Sequence, residues 1–537
     1  MADKQPVYIL PENVQRMMGR DAQRNNILAA RIVAETVKST LGPKGMDKML
    51  VDSTGDVVIT NDGVTILQEM EIEHPAAKMV VEVAKTQDQE VGDGTTTAVI
   101  LAGKLLENAE QLLDQKIHST IIVKGYRLAE KKAQEVLNQL SHMVDPSNEE
   151  LLKNIAMTSM TGKGAEVAKE YLTNLIIKAV KQIMKISEGK YEINFDDIKL
   201  EKMKGKGVED SELLQGIVID KERVNQDMPQ KITNARIALI DSPLEIKGPE
   251  TDTKISISSP DQLQSFLEQE EKILKEMVEK VKNSKANAVF CQKGIDDVAQ
   301  YYLSKEGIYA VRRVKKDDLE RLSRATGARI ISNLKELDEN VLGKSALVEE
   351  KKEGDEIFTY ITGCENPKAV TIIIRGGTEH VVDETQRAIK DGIGVIVASI
   401  KDGRVVAGGG SFEIELSRRL REYAKNFSGR EQLAIEKFAD ALESIPITLA
   451  ENAGLDPIDI LTELKSRHEA GENEVGLNLL VGKIEDTFEA GVVEPLKIKT
   501  QALKSATEVA TMILRIDDVI ASGKGASPNM PPMQGYE

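Results

Sequence analysis

Three consecutive threonines, Thr95, Thr96 and Thr97, open a helical pattern directly after Gly92, Asp93 and Gly94. Threonine fills the start of a helix poorly. The same stretch sets hydroxyls, unsatisfied N–H groups and the positive end of a helix dipole around one point, beside a carboxylate. That combination suits a triphosphate with Asp93 on its magnesium ion better than it suits capping alone. Three other clusters carry the same residue types: Leu41, Gly42, Pro43, Lys44 and Gly45; Thr60, Asn61, Asp62 and Gly63; and Ala407 through Gly410. Glycine lets a backbone approach a phosphate closely, and successive N–H groups form an anion-binding concavity. Each of the three also has a plain reading. Gly42 and Pro43 are an ordinary helix stop, Asp62 and Gly63 a hairpin dipeptide after Val57, Val58 and Ile59, and Gly408 to Gly410 a flexible joint. Taken singly, the first two read as stop and turn. No GxxxxGK[ST] occurs, because Asp338 stands where the first glycine before Gly343, Lys344 and Ser345 should be, and no complete GxGxxG occurs. P-loop and dinucleotide folds are thereby disfavoured.

The elements that must position these clusters follow from hydrophobic period. Ile27, Leu28, Ile32, Val33, Thr36 and Val37 recur at helical steps from Asp21, the expected N-cap, to Thr40. Further helical patterns cover about 76–90, 95–113 and 118–143, and a second helix-rich block covers Gly410 to 424, 430–450, 456–468 and 500–520. Between the blocks lie short apolar runs at 216–220, 236–241, 287–291, 308–314 and 328–332. They read as strands, with helical patterns at 294–305 and 316–325 alternating with the last three. The segments 146–216 and 367–402 flank this centre and mix a helix with strands. The expected architecture is nested: a helical base from both termini, an α/β head from the middle, and a small joint crossed twice. Polar residues 242–259 lead into a helix over Asp261 to Val281, whose stripe is Leu263, Phe266, Leu267, Leu274, Met277, Val278 and Val281. Its first turns either pack on their own domain or project toward a partner. The last sixteen residues, rich in Gly, Ser and Pro, are expected to form a mobile tail.

Composition narrows the function. The 537 residues are 41% apolar and 30% charged, enough for several cores and a solvated surface. Aromatics are 3% with no tryptophan, which leaves little material for base stacking, and the net charge of −17 opposes a nucleic-acid partner. Cys291 and Cys364 lack a CxxC pattern, and the five histidines show no ligand spacing. No apolar run reaches bilayer length and the start lacks a signal-peptide pattern, so a cytoplasmic protein is expected without a membrane partner.

Taken together, LGPKGMDKML at 41–50, VVITNDGVTIL at 57–67, EVGDGTTTAV at 90–99, RVVAGGG at 404–410 and GVVEPLKIKT at 491–500 resemble the chaperonin family over nearly the whole chain. TSMTGKGAE at 158–166, VFCQKGIDDVAQYYL at 289–303 and SATEVATMILRIDDVI at 505–520 are similar to its archaeal group II type. The resemblance implies a multidomain α and α/β chaperonin fold. Its parts would be a mostly helical equatorial ATPase domain (1–146 and 403–537, tail about 522–537), a small α/β intermediate domain (147–216 and 367–402) and an α/β apical domain (217–366). A helical protrusion at about 242–275 would act as a built-in lid, so no separate lid protein is implied. Implied partners are non-native proteins, enclosed in a double ring of eight subunits per ring, homo-oligomeric or with paralogous subunits.

The resemblance also carries site residues. Leu41, Gly42 and Pro43 match the family's phosphate loop, Asp93 its magnesium ligand, Gly94, Thr95, Thr96 and Thr97 its phosphate turn, and Gly63 lies beside the phosphates. Gly409 matches a glycine packed on the nucleotide, Asn478 an adenine-facing position, Glu494 an acidic ribose contact, and Lys163 a γ-phosphate sensor. Asp62 and Asp391 match the carboxylates that orient the attacking water for hydrolysis of magnesium ATP. Gly392 follows Asp391 where the family usually has alanine, so a more flexible helix end is expected there with the role of Asp391 retained. Asp391 lies on a helix expected over 380–392, in the intermediate segment, so its use implies closure of that segment on the nucleotide. Two rival classes are a small-molecule kinase or ligase and a passive nucleotide-binding scaffold. The head has no second polar catalytic cluster, and both hydrolytic carboxylates are present, which disfavours each in turn.

Overall fold

The computed structural model describes residues 14–164, 168–187, 190–246 and 259–522. They form two compact units, one from the described residues within 1–143 and 404–537, the other from those within 144–403, so the chain passes between units twice.

The first unit is helical. Helices Gly19–Lys38, Pro75–Val91, Thr95–Asp114, Ser119–Leu140, Arg430–Leu442 and Leu496–Ile513 bury alanine, valine, isoleucine and leucine in one core. The small side chains let helices approach closely: a β-carbon on Gly103 would lie 2.3 Å from that of Ala34, and one on Gly125 2.4 Å from that of Ala434. Tyr126 is one of few large buried rings and gives its hydroxyl to the Leu105 carbonyl. Small sheets fringe this core. Lys48–Val51 pairs antiparallel with Val57–Thr60, and Val14–Met18 pairs with Asp518–Ser522. The short strand Arg404–Ala407 lies between Val493–Pro495 and His142–Met143.

Several expectations need correction here. The first helix starts at Gly19 with Met18 at its N-cap, so Asp21 sits in the first turn instead of capping it. The pattern at 430–450 is two helices, Arg430–Leu442 and Ser444–Asn452. The pattern at 500–520 is a helix that begins at Leu496 and ends at Ile513, followed by the strand Asp518–Ser522. Asp62 and Gly63 do not make a hairpin turn: Asp62 N-caps the helix Gly63–Glu69 and accepts the Thr65 N–H.

The described residues of the second unit hold two main sheets and a small hairpin in which Lys185–Ser187 pairs with Lys190–Glu192. In the larger, the strand order is Tyr309–Val311, Ala288–Cys291, Lys231–Ile240, Gly343–Glu353, Glu356–Thr362, Gly216–Ile219, with Ile330–Ile331 also on Lys231–Ile240. The parallel strands alternate with helices Asp297–Lys305 and Lys316–Thr326, and bury Ala288, Phe290, Tyr309 and Val311 completely. The smaller sheet pairs Val370–Gly376 with Ile198–Lys204 and Glu212–Leu214, beside helices Glu149–Met160, Lys169–Ile183 and Glu379–Asp402. Cys291 and Cys364 are both buried and unbridged, and burial pushes each thiol up to about 11.

The helix expected after residue 259 runs Pro260–Asn283. Leu274, Val278 and Val281 are buried in the larger sheet's core, whereas Phe266 and Leu267 are exposed. Among the described residues of their own unit, nothing covers the first turns of this helix. Most of the loop before it, 247–258, the side chain of Leu263, and the tail from 523 lie outside the described residues.

Candidate nucleotide site

The strongest cluster is built by two left-handed glycines. Gly92 ends the helix Pro75–Val91 at φ 79°, and Gly94 is the N-cap of Thr95–Asp114, also at φ 79°. Asp93 is held between them, with its Oδ1 accepting the Gly94 N–H at 2.8 Å. A glycine N-cap brings no side chain, so it leaves the first N–H groups of this twenty-residue helix to other acceptors. Buried Gln87 donates to the Asp93 carbonyl at 3.0 Å and to the Ile498 carbonyl at 3.2 Å, which pins the turn to the last helix of the unit.

Asp62 reaches the same place. Its Oδ2 accepts the Thr65 N–H at 3.0 Å and the Thr65 hydroxyl at 2.7 Å, while the Thr95 hydroxyl points to its Oδ1 at 3.4 Å. A β-carbon on Gly63 would lie 2.6 Å from Thr96 Oγ1 and 3.2 Å from Thr95 Oγ1, so only glycine lets these two helix starts meet. Thr95 and Thr96 are buried and Thr97 is half-buried.

The remaining residues join by direct contact. Gly42 has φ 81°, and a β-carbon there would strike Leu449 at 2.4 Å and touch Leu479 at 3.5 Å. Asn452 fixes this loop by donating to the carbonyls of Leu41 and Lys38. Leu479 follows Asn478, whose amide donates to Glu485 Oε1 at 2.7 Å. Gly409 accepts the Leu477 N–H at 2.8 Å, and its own β position lies 2.6 Å from the Leu477 carbonyl. The β position of Gly408 is 2.9 Å from Glu494 Oε1, and Glu494 Oε2 is bound by Lys499 at 2.6 Å. The β position of Gly94 closes the path, 2.5 Å from Ile498 Cγ2. Residues 41–43, 62–63, 93–97, 409, 478 and 494, spread across more than four hundred positions, therefore share one continuous set of contacts in the first unit.

Lys163 and Asp391 lie in the second unit and pair with each other, Nζ to Oδ2 at 2.5 Å, with side chains 17% and 10% exposed. Lys163 sits in a turn with Gly162 at φ 80°, and Gly164 packs on Glu384 of the Asp391 helix. That helix runs unbroken from Glu379 to Asp402, which corrects the flexible end expected at Gly392. The glycine serves packing instead: a β-carbon there would lie 2.9 Å from Ile176 and 3.2 Å from Met160 Sδ.

The sequence reading missed Gln87, Asn452, Glu413 and Lys499. Lys499 carried a faint signal, a cation five residues after Glu494; the others are polar residues inside helices with no local mark. Among the described residues no three His, Cys, Asp or Glu side chains cluster as a metal cage. One hard carboxylate beside hydroxyls and glycine N–H groups is the donor set for a magnesium ion that takes its other ligands from phosphate and water, so Asp93 and its turn fit that ion.

The TCP-1/cpn60 chaperonin family profile matches residues 33–524, and the chain belongs to that family. A thermosome subunit of Methanopyrus kandleri is 61% identical over 520 residues, 97% of this chain and 95% of the relative. Thermosome subunit beta of Archaeoglobus fulgidus is 59% identical over 537 residues, 98% of each chain. The open state monomer of a group II chaperonin from Methanococcoides burtonii matches with a TM-score of 0.59 at 51% identity, over 79% of this chain and all of that one. Its place within the family is the archaeal group II branch. No described helix is long and apolar enough to cross a membrane.

Proposed function

We propose that the chain is one subunit of an ATP-driven protein-folding chamber: a double ring of eight subunits per ring, cytoplasmic, that binds non-native proteins and encloses them with its own lid. The observation that supports the ATPase reading is the contact path of the first unit, which links six separated stretches, among them Asp93 and the Thr95 helix start.

In this reading Leu41, Gly42 and Pro43 and the turn Gly94 to Thr97 bind the phosphates through backbone N–H groups and hydroxyls. Gly63 and Gly409 give close backbone approach, Asn478 faces the adenine and Glu494 accepts from the ribose. Asp93 holds the magnesium ion, which when bound offsets negative charge developing on the phosphate oxygens. Asp62, fixed by Thr65, and Asp391 accept hydrogen bonds from the attacking water and hold it in line. Lys163 exchanges its partner Asp391 for the γ-phosphate, so the ion pair seen in the second unit is the resting contact that nucleotide replaces.

The domain division we assign is 1–146 with 403–537, 147–216 with 367–402, and 217–366. The exposed first turns of the Pro260 helix support a protrusion at about 242–275, whose loop lies outside the described residues. Closure that delivers Asp391 to the nucleotide then carries the head and lid with it.

Sizing the purified protein tests this at once. Sixteen chains of 59.0 kDa give a particle of roughly one megadalton, and a monomer or dimer would refute the ring. Deleting about 245–272 is expected to leave assembly and ATPase activity while abolishing client enclosure; enclosure by that variant would refute the lid assignment.

A further inference from the structure

We propose that Lys499 is the positioning residue of the nucleotide site: it orients the Glu494 carboxylate and so sets discrimination for the ribose hydroxyls. This rests on the ribose assignment of Glu494 made above, and adds to it a residue and a mechanism.

Glu494 stands on the strand Val493–Pro495, opposite Val406. The chain turns at Pro495 into the helix Leu496–Ile513, which returns Lys499 in its first turn toward the same strand. Lys499 Nζ lies 2.6 Å from Glu494 Oε2 and 2.9 Å from Glu413 Oε1. The exposures are unequal in an informative way. The Lys499 and Glu413 side chains are 5% and 3% exposed, whereas Glu494 keeps 25%. Of the three, Glu494 alone keeps a partly exposed side chain. Its Oε2 is tied to the ammonium, and its Oε1 lies over Gly408, where the absent side chain leaves the space clear.

The pairing also fixes the charge. Burial pushes the Glu494 carboxyl above its usual range, and Glu413 and Asp93 add to that rise, while Lys499 opposes it. Burial works against the charge of Lys499 as well, but Glu413 and Glu494 overcome it and hold the ammonium above the ordinary lysine range. Without the ammonium, the Glu413 and Glu494 charges would oppose each other with nothing between them to offset them, and one would take a proton or turn away. A protonated or turned Glu494 loses the acceptor that two vicinal hydroxyls require. Glu413 Oε2 is buried without a hydrogen-bond partner in the described residues, so Glu413 contributes charge balance to Lys499 and nothing to the exposed face.

Steady-state hydrolysis by assembled rings, with ATP, 2′-deoxyATP and 3′-deoxyATP as probes, tests this. Wild type is expected to show a lower KM for ATP than for either deoxynucleotide. Glu494→Gln should erase that preference. Lys499→Met should erase it too, raising KM for ATP about 10- to 100-fold, the size of a lost hydrogen bond to a charged acceptor, with kcat changed far less. Lys499→Arg should restore most of the preference. If Lys499→Met does not assemble, the Lys499→Met, Glu413→Gln double variant removes both buried charges and leaves Glu494 unheld, and the same loss is expected. Loss of preference in Glu494→Gln but not in an assembled Lys499 variant overturns the positioning role alone. Retained preference in Glu494→Gln overturns the ribose assignment beneath it.

Discussion

Gly94→Ala probes the cradle most sharply, because two separate costs are readable in the structure. Gly94 has φ 79°, where a residue with a β-carbon is strained by about 1–2 kcal/mol. The added carbon would also sit 2.5 Å from Ile498 Cγ2, about 1 Å inside normal carbon contact. Overpacking of this kind costs a further 1–3 kcal/mol, or is relieved by moving the turn that carries Asp93. Gly454→Ala is the control, since Gly454 has φ 70° but no described atom within 4 Å of the added carbon. It carries the strain without the collision. Equilibrium binding of ATP, titrated with and without magnesium, is the assay. Gly94→Ala is expected to weaken magnesium ATP binding at least about tenfold while the rings stay assembled. Gly454→Ala should bind as wild type, and adding Ile498→Ala to Gly94→Ala should recover part of the loss. Wild-type affinity in Gly94→Ala, or an equal loss in Gly454→Ala, would refute the argument that the turn geometry holds the metal-bound phosphates.

Three further outcomes are expected. Asp391→Ala should bind magnesium ATP nearly as wild type yet lose turnover steeply and fail to close, which single-turnover hydrolysis and a closure-sensitive protease digest would report. Lys199, 10% exposed, pairs with Glu201 and Asp318 and donates to the Val218 carbonyl, so Lys199→Met takes the lysine from Glu201 and leaves buried Asp318 to Arg321. It should destabilise the second unit by about 3–5 kcal/mol, measured by denaturant unfolding. Glu415 is fully buried, and despite that burial His468, Arg418 and Arg419 bring its carboxyl down to about 2. A depressed carboxylate stabilises the fold above its unfolded value near 4.5 and loses that contribution as pH falls toward 2. The contribution is about 3 kcal/mol by linkage, so the Tm of Glu415→Gln should fall less over that interval than wild type does.

What could be read from the chain follows the range of the interactions involved. Amphipathic helices such as Pro75–Val91 and Thr95–Asp114 show their period within a few turns, and their observed bounds differ by a residue or so from those expected. The hairpin Gly343–Glu353 with Glu356–Thr362 was missed because its exposed Lys and Glu residues hide the alternation around the tight turn at Gly354. The pairing of Val14–Met18 with Asp518–Ser522 joins residues some five hundred apart and leaves no local trace. The same division runs through the site. Asp93 and the threonines announce themselves by composition, and the family resemblance supplied Asp391 and Glu494. Gln87 and Glu413, in contrast, owe their places to packing between helices, which spacing in one sequence does not encode.

The central claim is that residues from both termini gather around one metal-bound triphosphate, and that Asp391 acts on it too. The direct test is a structure of the assembled ring with magnesium and a non-hydrolysable ATP analogue. The expected map has Asp93 oxygen at about 2.0–2.1 Å from the ion, the Gly94 to Thr97 turn on the phosphates, and Asp62 and Asp391 flanking one water at the γ-phosphate. A nucleotide bound away from this turn, or Asp391 remote from the γ-phosphate in every class of particle, would contradict it.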